Sequence, residues 1–138
     1  MLYLFLFFEI LLSRKRHISN NINTDENYQL HERIDDDHNQ ISLKKVIFSN
    51  FQNPTFNGGA IYINKNRFNT TLSNCKFENC FGKFGGAIYV KSKDNSNTQS
   101  CSIYNAIFTN CRATKGGALY LKVGYTERHS ITIEGCTF

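Results

Sequence analysis

The chain has 138 residues, a formal net charge of +5, twelve phenylalanines, seven tyrosines and no tryptophan. This length allows one domain at most, and the basic residues are dispersed apart from residues 14–16, which argues against a nucleic-acid surface because such a surface needs clustered cations. No Cys-x-x-Cys pair occurs and no histidine lies at zinc spacing from a cysteine, so the sequence predicts neither a metal site nor a cofactor.

An apolar run opens the chain: residues 1–12 contain one charged residue, Glu9, and residues 14–16 are Arg-Lys-Arg. As a helix this run would rise about 18 Å, too short to cross a hydrocarbon core of about 30 Å, so we expect no transmembrane span. Its length is typical of the apolar part of a secretory signal, although no small-x-small cleavage site follows. We interpret residues 1–16 as a degraded or truncated signal-like segment, with a disordered apolar tail or a misplaced start codon as the alternatives.

Residues 17–40 are rich in Asn, Asp, His and Glu and show no sustained hydrophobic period. The cluster Asp35-Asp36-Asp37-His38 contains ligand types that a divalent cation accepts, but its spacing matches no recognised metal-binding loop. Polar, charged runs of this kind are typical of solvated linkers. The sequence therefore predicts a polar linker here.

From Ile41 onward a pattern recurs about every 30 residues, which is the signature of a repeat architecture. The repeats are 41–69 (repeat 1), 70–100 (repeat 2), 101–130 (repeat 3) and a partial repeat 4 at 131–138. Each begins with a short run that alternates apolar and polar residues, and turn-forming Gly, Asn and Ser lie between such runs, so each repeat is expected to hold two or three strands. The phenylalanines that anchor the alignment are Phe48, Phe77, Phe108 and Phe138.

A unit of this size cannot bury its apolar face alone and must stack on its neighbours. A propeller blade needs about 40 to 45 residues, so a parallel β-helix is the better fit. We predict an all-β chain with about three coils of a parallel β-helix. The partial fourth repeat and the absence of a recognisable cap suggest a fragment of a longer array that stacks on further repeats.

Equivalent residues of neighbouring coils would lie about 4.8 Å apart, the ordinary strand spacing. The phenylalanines would then form an internal stack. The asparagines two positions later, Asn50, Asn79 and Asn110, would form a ladder of side-chain amides. Paired glycines predict a tight corner in each repeat; they are Gly58, Gly59, Gly85, Gly86, Gly116 and Gly117.

The strand after each glycine pair alternates, and assigning its branched aliphatic residues to the interior turns Tyr62, Tyr89 and Tyr120 outward, with Ala60 on the same face as Tyr62. This tyrosine column is a candidate face for stacking against sugar rings or a protein partner. The alternative is that the tyrosines only cover the sheet. The segments that vary between repeats, 64–69, 91–100 and 122–130, are expected to gather on one edge, which in repeat proteins is often the binding edge.

Five cysteines, at 75, 80, 101, 111 and 136, all lie inside the repeats. Cys80 and Cys111 are equivalent in adjacent repeats, which would bring their Cα atoms within disulfide range, whereas Cys75 and Cys136 would lie two coils apart. Buried free thiols are the alternative. Asn69 begins the only glycosylation sequon, Asn-Thr-Thr.

The combination of Phe-x-Asn with Gly-Gly-Ala-Ile resembles the repeat of the polymorphic outer membrane protein family, first known from chlamydial autotransporter adhesins and present in protist surface proteins. The resemblance covers residues 41–138, although the family usually has Phe-x-x-Asn and Leu119 replaces the last Ile in repeat 3. It implies a right-handed β-helix at a cell surface or outside the cell, used in adhesion to a protein or glycan partner.

A polysaccharide-cleaving β-helix enzyme is the competing hypothesis. Glycoside hydrolysis needs two carboxylates at one bond, and the strand segments offer only Glu78 and Glu134, which occupy different columns of the alignment. We therefore expect a non-catalytic binding module. A non-functional gene fragment is a third possibility, since three coils are near the minimum for a stable stack.

Overall fold

The computed structural model describes residues 21–24, 28–30, 33–35, 40–65, 68–92, 99–123 and 129–138. These residues form fifteen strands and no helix. The strands are β1 (Asn21–Thr24), β2 (Tyr28–Leu30), β3 (Gln40–Lys44), β4 (Val46–Ser49), β5 (Gln52–Asn53), β6 (Ile61–Lys65), β7 (Phe68–Ser73), β8 (Lys76–Glu78), β9 (Phe81–Phe84), β10 (Ile88–Ser92), β11 (Gln99–Tyr104), β12 (Ile107–Thr109), β13 (Arg112–Lys115), β14 (Leu119–Lys122) and β15 (His129–Glu134).

The strands form four parallel sheets in which neighbours come from consecutive repeats. Their orders are β1-β3-β7-β11-β15, β2-β4-β8-β12, β6-β10-β14 and β5-β9-β13. Equivalent residues pair directly: Leu43 with Leu72, Leu72 with Ile103, and Ile103 with Ile133. The predicted all-β class is confirmed, and stacked sheets of parallel strands are compatible with the β-helix prediction.

Strands also occur in the stretch that the sequence predicts to be a linker. β1 pairs with β3, β2 pairs with β4, and Ile34 forms a bridge with Ile61. Parts of the stretch 17–40, which the sequence predicts to be a polar linker, therefore pair with the strands of repeat 1. Parallel pairing is made by backbone N–H and C=O groups, so a polar segment beside an edge strand can extend the sheet without the hydrophobic pattern that reveals a strand in sequence.

Several predicted features lie outside the described residues. They include the signal-like segment 1–16, the acidic residues Asp36 and Asp37 with His38, and parts of the variable segments at 66–67, 93–98 and 124–128. Within the described part of the chain, no helix has the length and hydropathy to cross a membrane.

The core lies between the sheets and is built from the inward side of each strand. Ile61, Ile88, Leu72 and Ile103 are fully buried there. Ala60, which we expected beside Tyr62, is instead buried in the same core. The alternation of buried and outward-facing side chains begins only at Ile61, because residues 58–60 still belong to the glycine corner.

The asparagine column forms a corner after each phenylalanine. Asn50, Asn79 and Asn110 have φ angles of 63°, 53° and 51°, a left-handed conformation that asparagine tolerates better than most residues. The Asn79 side-chain amide donates to Oδ1 of Asn50 at 3.2 Å, and that of Asn110 donates to Oδ1 of Asn79 at 2.8 Å. A second left-handed column, which the sequence analysis missed, precedes β4, β8, β12 and the last bridge and consists of Lys45, Asn74, Asn105 and Gly135.

The two glycines of each pair serve different purposes. Gly58, Gly85 and Gly116 have φ angles of 65°, 64° and 75°, which glycine adopts at no steric cost. A β-carbon on Gly59 would lie 2.2 Å from the carbonyl oxygen of Gly86, so the second glycine allows close approach of the next repeat. This corner directly precedes the tyrosine-bearing strands.

Candidate binding groove

The three tyrosines form a continuous stack on the outer side of β6, β10 and β14. The ring centroids of Tyr62 and Tyr89 are 5.3 Å apart, and those of Tyr89 and Tyr120 are 5.1 Å apart. Tyr89 in the middle is only 6% exposed, and its burial raises the pKa of its hydroxyl, with smaller contributions from the two neighbouring tyrosines. Because the rings cover one another's faces, the column presents mainly ring edges to a ligand.

The Tyr62 end of this stack is covered by Arg33, and Phe84, from the same repeat as Tyr89, packs against Tyr120. The guanidinium carbon of Arg33 lies 5.1 Å from the Tyr62 ring centroid, and the Phe84 ring lies 5.6 Å from that of Tyr120. A ligand would therefore meet the edges of the tyrosines and the groups around them.

A groove of about 470 Å³ lies beside Tyr62, within the size range of small-molecule sites. Its aromatic residues are Phe56, Tyr62 and Phe84, and its charged residues are Arg33, Asp35 and Lys83. The residues come from three successive levels of the fold: the segment before β3, the loop of repeat 1 and strand β9 of repeat 2. Only the stacking of repeats brings them together.

The loop at residues 54–57 builds one wall. The Phe56 N–H donates to Asn53 O at 3.2 Å, the Thr55 hydroxyl donates to Oδ1 of Asn53 at 3.2 Å, and the Lys83 N–H donates to Phe56 O at 2.7 Å. These bonds hold the loop against β9 while the Phe56 side chain stays 57% exposed. Phe56 is therefore an accessible ring at the mouth of the groove.

Arg33 is a fixed cation in this groove. Its Nη2 donates to Asn57 O at 2.8 Å and lies 3.0 Å from Oδ1 of Asp35. The guanidinium lies against both Tyr62 and Phe56, at 5.1 and 5.8 Å from their ring centroids. These contacts orient the side chain, and its buried Nε has no hydrogen-bond partner among the described residues.

Further cations continue from the groove along β9 and β13. The ammonium groups of Lys83 and Lys115 each lie 5.8 Å from the Phe84 ring centroid, and the Arg112 guanidinium lies 5.1 Å from that of Phe81. The register explains this, because Arg112 pairs with Phe81 and Lys115 with Phe84. We call this surface the basic–aromatic strip; it comprises Arg33, Phe56, Tyr62, Phe81, Lys83, Phe84, Arg112 and Lys115.

Cations that are far apart along the chain are neighbours in the fold. Arg33 and Lys83 line one groove, Lys115 lies against the same Phe84 ring as Lys83, and Arg112 lies on the adjoining strand β13. Dispersal in sequence therefore does not exclude a charged binding face, because stacking converts residues about 30 positions apart into neighbours.

The carboxylates of the strands do not form a catalytic pair. Glu78 lies at the end of β8 and Glu134 at the end of β15, in different sheets. Within the residues that the structure describes, no group of three His, Cys, Asp or Glu side chains converges on a metal-sized site.

The cysteines are free thiols in the structure. Cys80 and Cys111 are nonetheless close enough for their thiols to hydrogen-bond, and this contact lowers the pKa of Cys111 to about 7. The same contact, followed by burial, raises the pKa of Cys80. Each Sγ also lies within hydrogen-bond distance of a carbonyl of the preceding repeat, that of Cys80 3.8 Å from Phe48 O and that of Cys111 3.4 Å from Phe77 O.

The sequon residue Asn69 is exposed on the outer side of β7. Its Oδ1 accepts a hydrogen bond from the Ser100 hydroxyl at 2.8 Å. The side chain is therefore on the surface, held against the next repeat.

Comparison with models of known protein families, with curated proteins and with solved structures found no match for this chain.

Four of the residues that line the groove were not among those predicted from the sequence, namely Arg33, Phe56, Lys83 and Phe84. One signal was available: repeat 1 has two more residues between its corner asparagine and its first glycine than repeats 2 and 3 have. Such an insertion marks the loop that carries Phe56. No comparable signal pointed to Arg33, because it lies before the first recognisable repeat.

Proposed function

We propose that this chain is a non-catalytic binding module whose repeats stack as a right-handed parallel β-helix, secreted or displayed at a cell surface, and that it binds a glycan or protein partner. The β-helix assignment is supported by the direct pairing of equivalent residues in consecutive repeats, such as Phe48 with Phe77 and Phe77 with Phe108. The handedness and the surface location rest on the resemblance to polymorphic outer membrane protein repeats.

The β-helix assignment can be tested by nuclear magnetic resonance on the full chain. We expect amide and methyl contacts that run in one series from Leu43 to Leu72, Ile103 and Ile133. Contacts that pair these strands in antiparallel register would contradict the assignment.

The groove at Phe56 is the observation that carries the binding function. An exposed ring can stack on the C–H face of a sugar or on an apolar side chain, and Arg33 and Asp35 place a donor and an acceptor in the same groove. Among the described residues that line it, Asp35 is the only carboxylate, whereas hydrolysis of a glycosidic bond needs two. Binding without cleavage is therefore the function that fits this groove best.

The test is to screen the full chain on arrays of glycans and of cell-surface proteins, and then to measure the strongest ligand with the Phe56→Ala variant. A lost aromatic contact of about 0.5 to 1.5 kcal/mol corresponds to roughly two- to tenfold weaker binding. Phe138→Ala is the matched control, because Phe138 is also exposed, at 69%, but lies at the other end of the stacked repeats. Equal losses in both variants, or no ligand on either array, would contradict the proposal.

The surface location is tested separately, with an antibody to residues 41–138 on intact source cells. A band that external protease removes supports display at the surface. A band that is protected until the cells are lysed would contradict it.

A further inference from the structure

We propose that the ligand of the basic–aromatic strip is an acidic glycan, a sugar chain that carries carboxylate or sulfate groups. This inference rests on the proposed binding function and specifies its ligand class.

The charge of the strip is the first argument. Four cations, Arg33, Lys83, Arg112 and Lys115, lie against its rings. Asp35, the one carboxylate among the described lining residues, is already paired with Arg33 at 3.0 Å. Among the described residues, no carboxylate pairs with the other three cations, so their charge is available to an anionic ligand.

The arrangement of these cations is the second argument. Lys83, Arg112 and Lys115 are exposed on two adjacent strands, which in a parallel sheet lie about 4.8 Å apart. Arg33 is held two levels from β9, on the segment before repeat 1, by Asn57 O and the Tyr62 ring. The positive charge therefore extends along the direction in which repeats stack, which suits a linear ligand with a repeating negative charge better than a single compact anion.

The state of the aromatic rings favours a glycan over single-stranded nucleic acid. A nucleic-acid strand binds through successive bases, each stacked on a free ring face. Here neighbouring rings or the Arg33 guanidinium lie against Tyr62 and Tyr89 on both sides and against one face of Tyr120, and Phe56 is the groove ring with a large exposed area. One exposed ring with cations beside it suits a glycan in which one sugar stacks on the ring and the neighbouring sugars contact Lys and Arg side chains.

Titration calorimetry of the full chain with four probes tests the inference. Heparin supplies sulfate groups, polygalacturonate supplies carboxylates alone, dextran is the uncharged glycan, and oligothymidylate is the anionic strand that lacks sugar-face stacking. We expect binding of heparin or polygalacturonate, weaker at higher ionic strength because salt screens exposed charges, and no binding of dextran. Heparin without polygalacturonate would assign sulfate as the recognised group, and the reverse would assign carboxylate.

The matched variants carry equal changes in charge. Lys83→Gln combined with Lys115→Gln removes two cations of the strip and should weaken binding at least about fivefold. Lys76→Gln combined with Lys122→Gln removes two exposed lysines elsewhere and should leave it unchanged. Equal losses in the two pairs would overturn the inference, because binding would then depend only on net charge.

Two further outcomes would distinguish a failure of the acidic-glycan proposal from a failure of the proposed binding function. If dextran or another neutral glycan binds in a Phe56-dependent manner, the binding function stands and the acidic ligand is wrong. Tighter binding of oligothymidylate than of either acidic glycan also overturns the inference. If no glycan or protein binds at all, both proposals fall.

Discussion

Gly86 occupies a position where a β-carbon would lie 2.5 Å from the carbonyl oxygen of Gly117 and 2.6 Å from backbone atoms of Arg112. Backbone atoms of a paired sheet cannot move aside as the end of a flexible side chain can. Glycine is therefore required at this position because the next repeat lies so close. Its own backbone conformation does not require glycine, since its φ lies outside the left-handed region. Gly117 is the equivalent residue one repeat later, and there a β-carbon meets nothing within 4 Å.

We expect Gly86→Ala to lower the free energy of unfolding by about 1 to 3 kcal/mol, the usual cost of overpacking. Gly117→Ala is the control: its φ of 35° makes the substitution strained, by about 1 kcal/mol, but no clash adds to it. Urea denaturation of the two variants measures the difference. An equal loss of stability in the two variants would contradict the expectation that the close contact with the next repeat makes Gly86→Ala the more damaging change.

The thiol of Cys111 should ionise at a lower pH than an ordinary cysteine. The thiol of Cys80 lowers the pKa of Cys111 from 9.0 to about 7, so the fold favours its thiolate. This contribution to stability is fully present above the unfolded pKa and is lost as the pH falls through about 7. Alkylation by iodoacetamide should label Cys111 with a midpoint near pH 7.

The neighbouring thiols supply the controls for this measurement. Burial raises the pKa of Cys101 to about 12, so Cys101 should stay unlabelled at neutral pH. Cys80→Ala should move the midpoint of Cys111 upward, because the hydrogen bond is gone. A midpoint near 9 in the unchanged protein would disprove the thiol contact.

At the scale of elements, the phenylalanine column shows how one sequence position becomes a structural unit. Phe48 and Phe77 stack with centroids 4.8 Å apart, Phe77 and Phe108 at 4.8 Å, and Phe108 and Phe138 at 5.0 Å, all with nearly parallel planes. These distances equal the spacing of paired strands. The period of the sequence was sufficient to predict this column, because in-register parallel strands place each residue directly beside the equivalent residue of the next repeat.

The strands before repeat 1 are an element that the sequence did not reveal. Ile34 is 3% exposed and forms a bridge with Ile61, while its N–H donates to Ala60 O at 2.9 Å. It extends the buried column of Ile61 and Ile88 by one level. The segment thus covers the edge of repeat 1 that would otherwise expose apolar side chains.

We expect Ile34→Ala to destabilise the fold by about 2 to 4 kcal/mol, as for other large-to-small changes in a core. Ile107→Ala is the matched control, because Ile107 is 41% exposed and should lose less than about 1 kcal/mol. Thermal or urea unfolding of both variants checks this. A neutral Ile34→Ala change would mean that the preceding strands do not belong to the cooperative fold.

At the scale of the whole molecule, each repeat contacts mainly its two neighbours, so stability should vary along the stack. β7 has partners on both sides, β3 and β11, whereas β15 pairs only with β11 among the described strands. We expect amides in the middle of the stack to be the best protected and those at its ends to open more often.

Hydrogen exchange followed by mass spectrometry tests this expectation. Peptides from β7 should exchange at least about tenfold more slowly than peptides from β15, a difference of roughly 1.4 kcal/mol in opening free energy. β11 is the internal comparison, since it also has partners on both sides. Equal protection of these peptides would indicate that the repeats open as a single cooperative unit, without a gradient of stability along the stack.

The period of about 30 residues, the alternation within each repeat and the positions of Phe, Asn and Gly were sufficient by themselves to determine the all-β class and which residues form columns. These features are determined by local pattern and by the geometry of parallel strands. The pairing of the segment before Ile41 and the groove at Phe56 were decided only by tertiary structure. The segment pairs through backbone groups that carry no side-chain pattern, and the groove joins residues from three levels of the stack. Whether an outward tyrosine is free or covered likewise depends on the rings above and below it, which no single repeat contains.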